Sequence, residues 1–266
     1  MQNKTLIILL IAVGFFYSCK SPTTSTQLVL PSPDSQTHIY FNLNDGEPYY
    51  LVYHKGKMII NWSLLGLKLK NQIDFSEGLT LINTESASTN TADLLNLAGG
   101  YSVIQQYNEI IIYLRKSQMP EDTLQVVLKA YNNGIGINYS LSGTSGETSK
   151  ILFEDRTQIN FAGVNDSWTI SEKADSLELL DQSSEQESFK FPVGFISKEG
   201  IELIITEEVF SGVAGSVLVK RSDSIQEFHF KPLGSEFSKL NLTHDGFVTP
   251  IRTIIFRDLS QQSTNN

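Results

Sequence analysis

The chain has 266 residues, a formal net charge of −9 and an isoelectric point near 5.0. This acidic balance argues against the basic face that a nucleic-acid partner needs, so we expect no nucleic-acid binding. The single cysteine excludes an internal disulfide, and the hydrophobic core must therefore stabilise the fold unaided.

Residues 1–18 have the form of a secretory signal peptide. A short start with one positive charge precedes an apolar run over residues 6–16. The run is too short to span a bilayer as a mature helix, which needs about 20 apolar residues. The Ser-Cys pair that ends at Cys19 resembles a bacterial lipobox, in which the cysteine is lipidated. We therefore expect an exported lipoprotein that is anchored to a membrane through Cys19 and is located in the periplasm or at the outer membrane. An ordinary signal peptide with an incidental cysteine is the alternative.

The rest of the chain divides by composition into three parts. Residues 19–34 are rich in Ser, Thr, Pro and Gln, too polar to pack, and predict a flexible tether. Residues 35–258 have the length of one sizeable domain. Residues 259–266 form a polar tail that resembles a natural terminus.

Alternating apolar and polar residues predict β-strands through most of the domain. Ile39, Phe41 and Leu43 alternate with polar neighbours, and Asp45-Gly46 then predicts a turn. The continuous apolar run 110–114 predicts a strand that is buried on both faces. The segments 124–130 and 135–139 flank Asn133-Gly134, a pair typical of a type I′ hairpin turn.

The second half of the chain continues this pattern. Strands are predicted at 191–196, 201–206, 216–221, 225–230 and 247–256. Only residues 92–97 and 176–180 favour a helical turn. Many short strands with regular turn signals predict a β-sandwich or barrel.

Several short motifs occur in a fixed order along the domain. They are NDGEPYYLVYHKGKMIINWSLLGLKL (44–69), QQYNEI (105–110), KAYNNGIGINY (129–139), EDRTQINFAG (154–163), ITE (205–207) and TPIRT (249–253). Their order and spacing together resemble the N-terminal β-domain of glycoside hydrolase family 97. The resemblance implies an all-β fold, a β-supersandwich of the galactose-mutarotase type with mainly antiparallel strands.

The resemblance also implies what the chain lacks. In that family a (β/α)-barrel of several hundred residues follows the β-domain and supplies the catalytic acid and base. Here the chain stops ten residues after Phe256, so we expect no catalytic residue in it and no activity from the chain alone. The chain departs from the family pattern at several positions: Thr206 replaces a histidine, Ile251 a tryptophan and Asn133 an aspartate.

One family residue carries over to a site. The glutamate that matches Glu207 reaches into the family's active site and helps to bind calcium. Calcium takes about six to eight oxygen ligands, and the family's other carboxylates come from the barrel. The resemblance therefore implies no cofactor for this chain alone, and calcium only together with a separate catalytic barrel chain. Glu207 would then lie exposed at the domain edge, whereas Glu208 would point to the opposite face of its strand. A solvated charge at a strand end is the alternative for Glu207.

Trp168 and Arg252 are the candidate carbohydrate-binding residues. An aromatic face suits the axial C–H groups of a pyranose, so Trp168 could stack on a sugar, and Trp62 or Tyr101 could do the same. A tryptophan buried in the sandwich core is the alternative for Trp168.

Three functions remain open from the sequence. The first is a stand-alone accessory lipoprotein that binds carbohydrate during glycan degradation. The second is one piece of a split or truncated calcium-dependent α-glycosidase. The third is a structural or protein-interaction module that no longer contacts sugar. The fold alone does not separate them.

Overall fold

The computed structural model describes residues 25–69, 73–97, 102–142, 152–163, 168–170, 188–208, 216–220, 227–232 and 246–259. The predicted signal peptide, Cys19, Tyr101, the predicted helical turn at 176–180 and the tail beyond residue 259 lie outside these ranges. Within them, none of the helical structure is long and apolar enough to cross a membrane.

Nineteen strands lie within the described ranges. In chain order they are β1 (Thr26–Pro31), β2 (Thr37–Asn44), β3 (Glu47–His54), β4 (Lys57–Leu64), β5 (Leu67–Leu69), β6 (Leu79–Asn96), β7 (Ser102–Lys116), β8 (Met119–Tyr131), β9 (Gly134–Ser142), β10 (Leu152–Asp155), β11 (Gln158–Phe161), β12 (Trp168–Ile170), β13 (Ser188–Lys190), β14 (Val193–Ser197), β15 (Ile201–Glu207), β16 (Ser216–Lys220), β17 (Glu227–Pro232), β18 (Gly246–Val248) and β19 (Arg252–Asp258).

The strands form two large sheets and one small one. The eight-stranded sheet has the order β1-β2-β3-β4-β11-β17-β16-β13, and the nine-stranded sheet has the order β12-β14-β15-β19-β9-β8-β7-β6, with β18 also paired to β9. Strands β5 and β10 pair with each other and form a separate two-stranded sheet. The pairing is antiparallel throughout the described strands. The all-β antiparallel sandwich expected from the sequence is confirmed.

The main core draws on both large sheets. Along β2 the side chains of Ile39, Phe41 and Leu43 are buried and their neighbours are not, as the alternation predicted. The Phe161, Phe195 and Phe228 rings pack at centroid distances of 4.9 to 5.4 Å, so both large sheets contribute to this aromatic part of the core.

The expected tether is wrong for its second half. Residues 26–31 form β1, which pairs with β2 from Thr26 opposite Leu43 to Pro31 opposite His38. Leu30 is buried in the core and Leu28 packs against it. Two apolar side chains on one face, next to a free edge of β2, stabilise a strand where composition alone indicated a linker.

The predicted type I′ turn at Asn133-Gly134 is also wrong. Tyr131 pairs with Gly134, so the two-residue turn is Asn132-Asn133. Neither Asn133 nor Gly134 has the positive φ that this turn type requires, in contrast to Asp45 and Gly46 with φ of 50° and 83°. Gly134 belongs to β9 instead, where an added Cβ would lie 2.5 Å from the Ile254 carbonyl oxygen. The glycine allows β19 to approach closely.

Two further expectations fail for reasons of packing. Residues 92–97 do not form a helical turn, because β6 continues through them and pairs with β7 as far as Asn96 opposite Ser102. The run 110–114 is not buried on both faces: Ile110, Ile112 and Leu114 are buried, whereas Ile111 and Tyr113 are half-buried. One face of β7 therefore packs on the core and the other faces outwards.

Candidate functional site

The end of β15 and the start of β19 bring two of the predicted site residues together. In the antiparallel register of these strands, Glu207 lies directly opposite Arg252. Glu207 comes two residues after Ile205, and Arg252 comes two residues before Ile254. Each therefore points to the same face of the sheet as its isoleucine, which belongs to the main core. Glu207 and Arg252 therefore point into the space between the sheets.

Arg252 is almost completely buried and lies between two carboxylates. Its Nη2 is 2.6 Å from Asp155 Oδ2 and its Nε is 3.4 Å from Glu207 Oε1, with 1%, 0% and 5% of the respective side chains exposed. The guanidinium carbon also lies 5.0 Å from the centre of the Phe230 ring, a cation–π distance. None of the three guanidinium nitrogens meets hydrogen-bond geometry with a partner among the described residues. Charge attraction to the two carboxylates therefore contributes to holding Arg252.

Both oxygens of Glu207 are engaged by Ser216, the first residue of β16. The Ser216 backbone N–H donates to Oε2 at 2.9 Å, and the Ser216 hydroxyl donates to Oε1 at 2.5 Å. Hydrogen bonds from a hydroxyl and an amide stabilise the ionised carboxylate inside the protein. Glu207 thus has hydrogen-bond partners for both of its oxygens within the fold.

Asp155 ends β10 and is held by its neighbours in sequence and space. Its Oδ1 accepts the Thr157 backbone N–H at 2.9 Å. The Thr157 and Tyr139 hydroxyls are 2.5 Å apart, and the Tyr139 oxygen also accepts the Gly66 N–H at 3.1 Å. Burial raises the pKa of the Asp155 carboxyl above its ordinary value, while the positive charge of Arg252 opposes that rise.

We call Asp155, Glu207, Ser216, Phe230 and Arg252 the Arg252 cluster. It connects all three sheets, because Glu207 and Arg252 belong to the nine-stranded sheet, Asp155 to the small sheet, and Ser216 and Phe230 to the eight-stranded sheet. Two carboxylates face one guanidinium, so the cluster has a net charge of −1 when all three are ionised. Its groups are buried and paired with one another, which suits an ion network that holds the sheets together.

The expectation that Glu207 is exposed at the domain edge is wrong. Only 5% of its surface is exposed, and Arg252 and Ser216 account for its oxygens. The strand alternation carries Ile205 and Glu207 inwards, so a carboxylate here reaches the core rather than solvent. No group of three or more His, Cys, Asp or Glu side chains in the described part of the chain is placed to hold a metal.

The two candidate carbohydrate residues do not form one site. Trp168 is 4% exposed, donates its Nε1–H to the Ala162 carbonyl at 2.7 Å and packs on Phe161 at 5.0 Å. It is one of the residues that line a cleft of about 530 Å³, but at 4% exposure it presents little ring surface to the cleft. Arg252 is 1% exposed and has no free side for a sugar. Both residues contact the core, as the alternative for Trp168 anticipated.

Sequence reasoning missed Asp155 and Ser216. Asp155 stands in an Asp-x-Thr pattern, in which the carboxylate bonds the backbone two residues on, and this could have marked a local turn. Ser216 gives no such signal, because its partner Glu207 reaches it only when β15 and β16 pack across the sandwich.

The family assignment rests on a match to a sequence model. Residues 30–264 match the model described as glycosyl-hydrolase 97 N-terminal. The chain belongs to this family. No curated protein matches the sequence.

Solved structures of family 97 enzymes share the fold. One from Pseudoalteromonas sp. strain K8, in complex with panose, superposes with a TM-score of 0.68 at 21% identity, covering 90% of this chain and 37% of that one. The enzyme from this strain in complex with acarbose gives 0.68 at 20% identity, with coverage of 90% and 37%. A β-arabinopyranosidase gives 0.63 at 21% identity, covering 87% of this chain and 40% of that one. The chain therefore spans about two-fifths or less of the enzymes it matches.

Proposed function

We propose that this family 97 N-terminal domain is an exported lipoprotein, anchored through Cys19, that binds carbohydrate as an accessory to glycan degradation and does not itself hydrolyse glycosides. The observation that supports the absence of hydrolysis is that the Glu207 carboxylate is not available to a substrate or a cation. Its carboxylate is buried, paired with Arg252 and bonded twice by Ser216. A carboxylate used in this way can neither attack a sugar nor supply a free ligand to a cation.

The carbohydrate part is supported by the relatives. The structures that share this fold are a family 97 enzyme in complexes with panose and with acarbose, and a β-arabinopyranosidase. The acidic charge of −9 is compatible with a neutral sugar ligand and unfavourable for a polyanion. The Ser-Cys pair at Cys19 supports the anchor.

The mature chain, produced without its lipid, tests the proposal in two assays. Hydrolysis of α- and β-linked nitrophenyl glycosides, with and without calcium, should not exceed the buffer rate. Binding to an array of neutral oligosaccharides should give reproducible signals that compete with free sugar. Hydrolysis that a substitution in this chain abolishes would refute the non-catalytic part, and an array without signal would refute the carbohydrate part.

A second candidate, one piece of a split calcium-dependent glycosidase, is favoured by the coverage of 37% of the panose-bound enzyme. Glu207 would then have to leave Ser216 and Arg252 to reach a calcium ion. Mixing the chain with a separately produced family barrel and calcium should raise the melting temperature, since a ligand that binds only the native assembly stabilises it. Glu207→Gln should remove most of that rise. An unchanged rise in the variant would exclude Glu207 as a ligand.

A further inference from the structure

One end of the eight-stranded sheet has an unusual solvent-facing side. Strands β1 to β4 run antiparallel, and their inner side chains fill the main core. On the other side, the register places Val29 opposite Tyr40 and His38 opposite Tyr53, with Tyr53 opposite Met58. These side chains therefore lie in adjacent cross-strand rows of one face.

Trp62 adds a second aromatic position to this face. It precedes the buried Ser63 on β4, so its own side chain points outwards, and it is 38% exposed. Two strand spacings of about 4.8 Å separate β2 from β4, which places Tyr40 and Trp62 on backbones about 10 Å apart. We call Val29, His38, Tyr40, Tyr53, Met58 and Trp62 the outer aromatic face.

Exposed apolar side chains concentrate on this face. Among the described residues, five large hydrophobic side chains are exposed, and three of them, Val29, Met58 and Trp62, belong to the outer aromatic face. Single exposed hydrophobic residues are normal, whereas a contiguous exposed apolar patch is typical of interaction sites. The aromatic rings of His38, Tyr40 and Tyr53 are half-buried beside them.

The three half-buried aromatic rings of this face are tilted relative to one another. Tyr40 and Tyr53 lie 5.8 Å apart at an angle of 70°, and His38 lies 6.5 Å from Tyr40 at 31°. Leu51 is 6% exposed and lies opposite Tyr40 in the same cross-strand row. The half-buried phenol rings have less conformational freedom than fully exposed ones, which lowers the entropy cost of ordering them on a ligand.

Uncharged polar groups form the row beside the aromatic rows. Next to the aromatic rows the register aligns Gln27, Asn42 and Tyr49, which offer amide and hydroxyl groups. Glu47 stands at the rim and accepts the Tyr49 hydroxyl at 2.6 Å; this hydrogen bond raises the pKa of Tyr49 to about 12, so the phenol stays neutral. The three rows contain no Lys, Arg, Asp or Glu.

We propose that the outer aromatic face binds a neutral oligosaccharide. This inference rests on the proposed carbohydrate-binding function and assigns it to solvent-facing side chains of β1 to β4, of which Met58 also lines the cleft that contains Trp168. Pyranose rings present C–H faces that pack on Trp62 and Tyr40, while their hydroxyls bond amides such as Asn42 at the side. The three rows themselves offer no cation to a charged glycan or a nucleic acid, and Lys57 adjoins Met58 only at their end.

The test uses the mature chain and the neutral oligosaccharide that gives the strongest array signal. Its affinity is measured by calorimetry for the wild type, Tyr40→Ala and Trp62→Ala. Each substitution should weaken binding about three- to tenfold, the size expected for one lost aromatic contact. Ile82→Ala is the matched control, since Ile82 is 48% exposed on β6, outside this face, and should leave the affinity unchanged.

The outcomes separate a failure of the proposed location from a failure of the carbohydrate-binding function. If the wild type binds and neither aromatic variant is weaker, although thermal melting shows that both are folded, the outer aromatic face is not the site and the carbohydrate-binding function stands. If the wild type binds no neutral oligosaccharide, both proposals fail. Stronger binding to acidic than to neutral glycans would overturn the neutral assignment. Concentration-dependent dimerisation that Trp62→Ala abolishes, without glycan binding, would make the face a protein interface instead.

Discussion

Replacing Arg252 by methionine should unfold the domain at a much lower temperature. Methionine has a similar length and fills the same space, so the substitution removes charge more than volume. It leaves Asp155 and Glu207 buried, at 0% and 5% exposure, without their positive partner. Removing one partner of a buried ion pair costs about 3–5 kcal/mol. At about 2–4 °C per kcal/mol for a domain of this size, the melting temperature should fall by about 6–20 °C.

The assay is thermal and urea denaturation of the mature chain, followed by circular dichroism. Lys57→Met is the control, because Lys57 pairs with Glu199 at 2.6 Å and the two side chains are 58% and 65% exposed. A largely exposed pair of this kind contributes about 0–1 kcal/mol. The triple variant Asp155→Asn, Glu207→Gln, Arg252→Met removes all three charges and should regain much of the loss.

Two results would refute this reasoning. A loss below about 1 kcal/mol for Arg252→Met would mean that the carboxylates are neutral or solvated. A triple variant no more stable than Arg252→Met would mean that the loss comes from packing against Phe230 and not from unpaired charge.

Three further predictions concern pH, backbone approach and anchoring. Because the folded pKa of Asp155 is raised, the folded state holds this proton more tightly, so the free energy of unfolding should fall as pH rises from about 4 through that pKa; urea titrations should show a flatter profile for Asp155→Asn, and an equal slope would contradict the shift. Gly134→Ala should cost about 1–3 kcal/mol, because its Cβ would lie 2.5 Å from the Ile254 oxygen, and Gly136→Ala, which meets only side chains at 3.3 Å, should melt at a higher temperature than Gly134→Ala. Cys19→Ser should abolish acyl labelling and release the protein from membranes, and unchanged membrane retention would argue against lipidation.

The parts of the fold that local sequence controls were predictable. Ile39, Phe41 and Leu43 alternate along one strand, and Asp45-Gly46 adopts the positive φ values that its composition favours. The pattern could not anticipate Gly134, because β19 approaches it from more than a hundred residues away and requires the glycine for space. Turn composition and close approach both select glycine, and only the tertiary structure separates them.

Two members of the Arg252 cluster were predictable from the sequence, but the other three members and the burial of the site were not. Glu207 and Arg252 were recognised by motif, and the structure pairs them. Their exposure was misjudged, since it depends on which face of β15 meets Ser216 and Asp155, and these contacts join distant segments. The outer aromatic face arises from ordinary alternation on β1 to β4. Only the cross-strand register shows that its side chains lie next to one another.

The position of β19 makes the order of synthesis matter. This strand is inserted between β15 and β9, and Arg252 pairs with Ile137, 115 residues earlier in the chain (252 − 137). A growing chain that has not reached residue 252 must hold a gap in the middle of its nine-stranded sheet, with two unsatisfied strand edges. Nucleation from the first strands alone therefore cannot complete the sandwich, and the domain should gain its protease resistance in one late step. A ribosome stalled before this strand would display a chain with two open edges, which is the state most prone to aggregate.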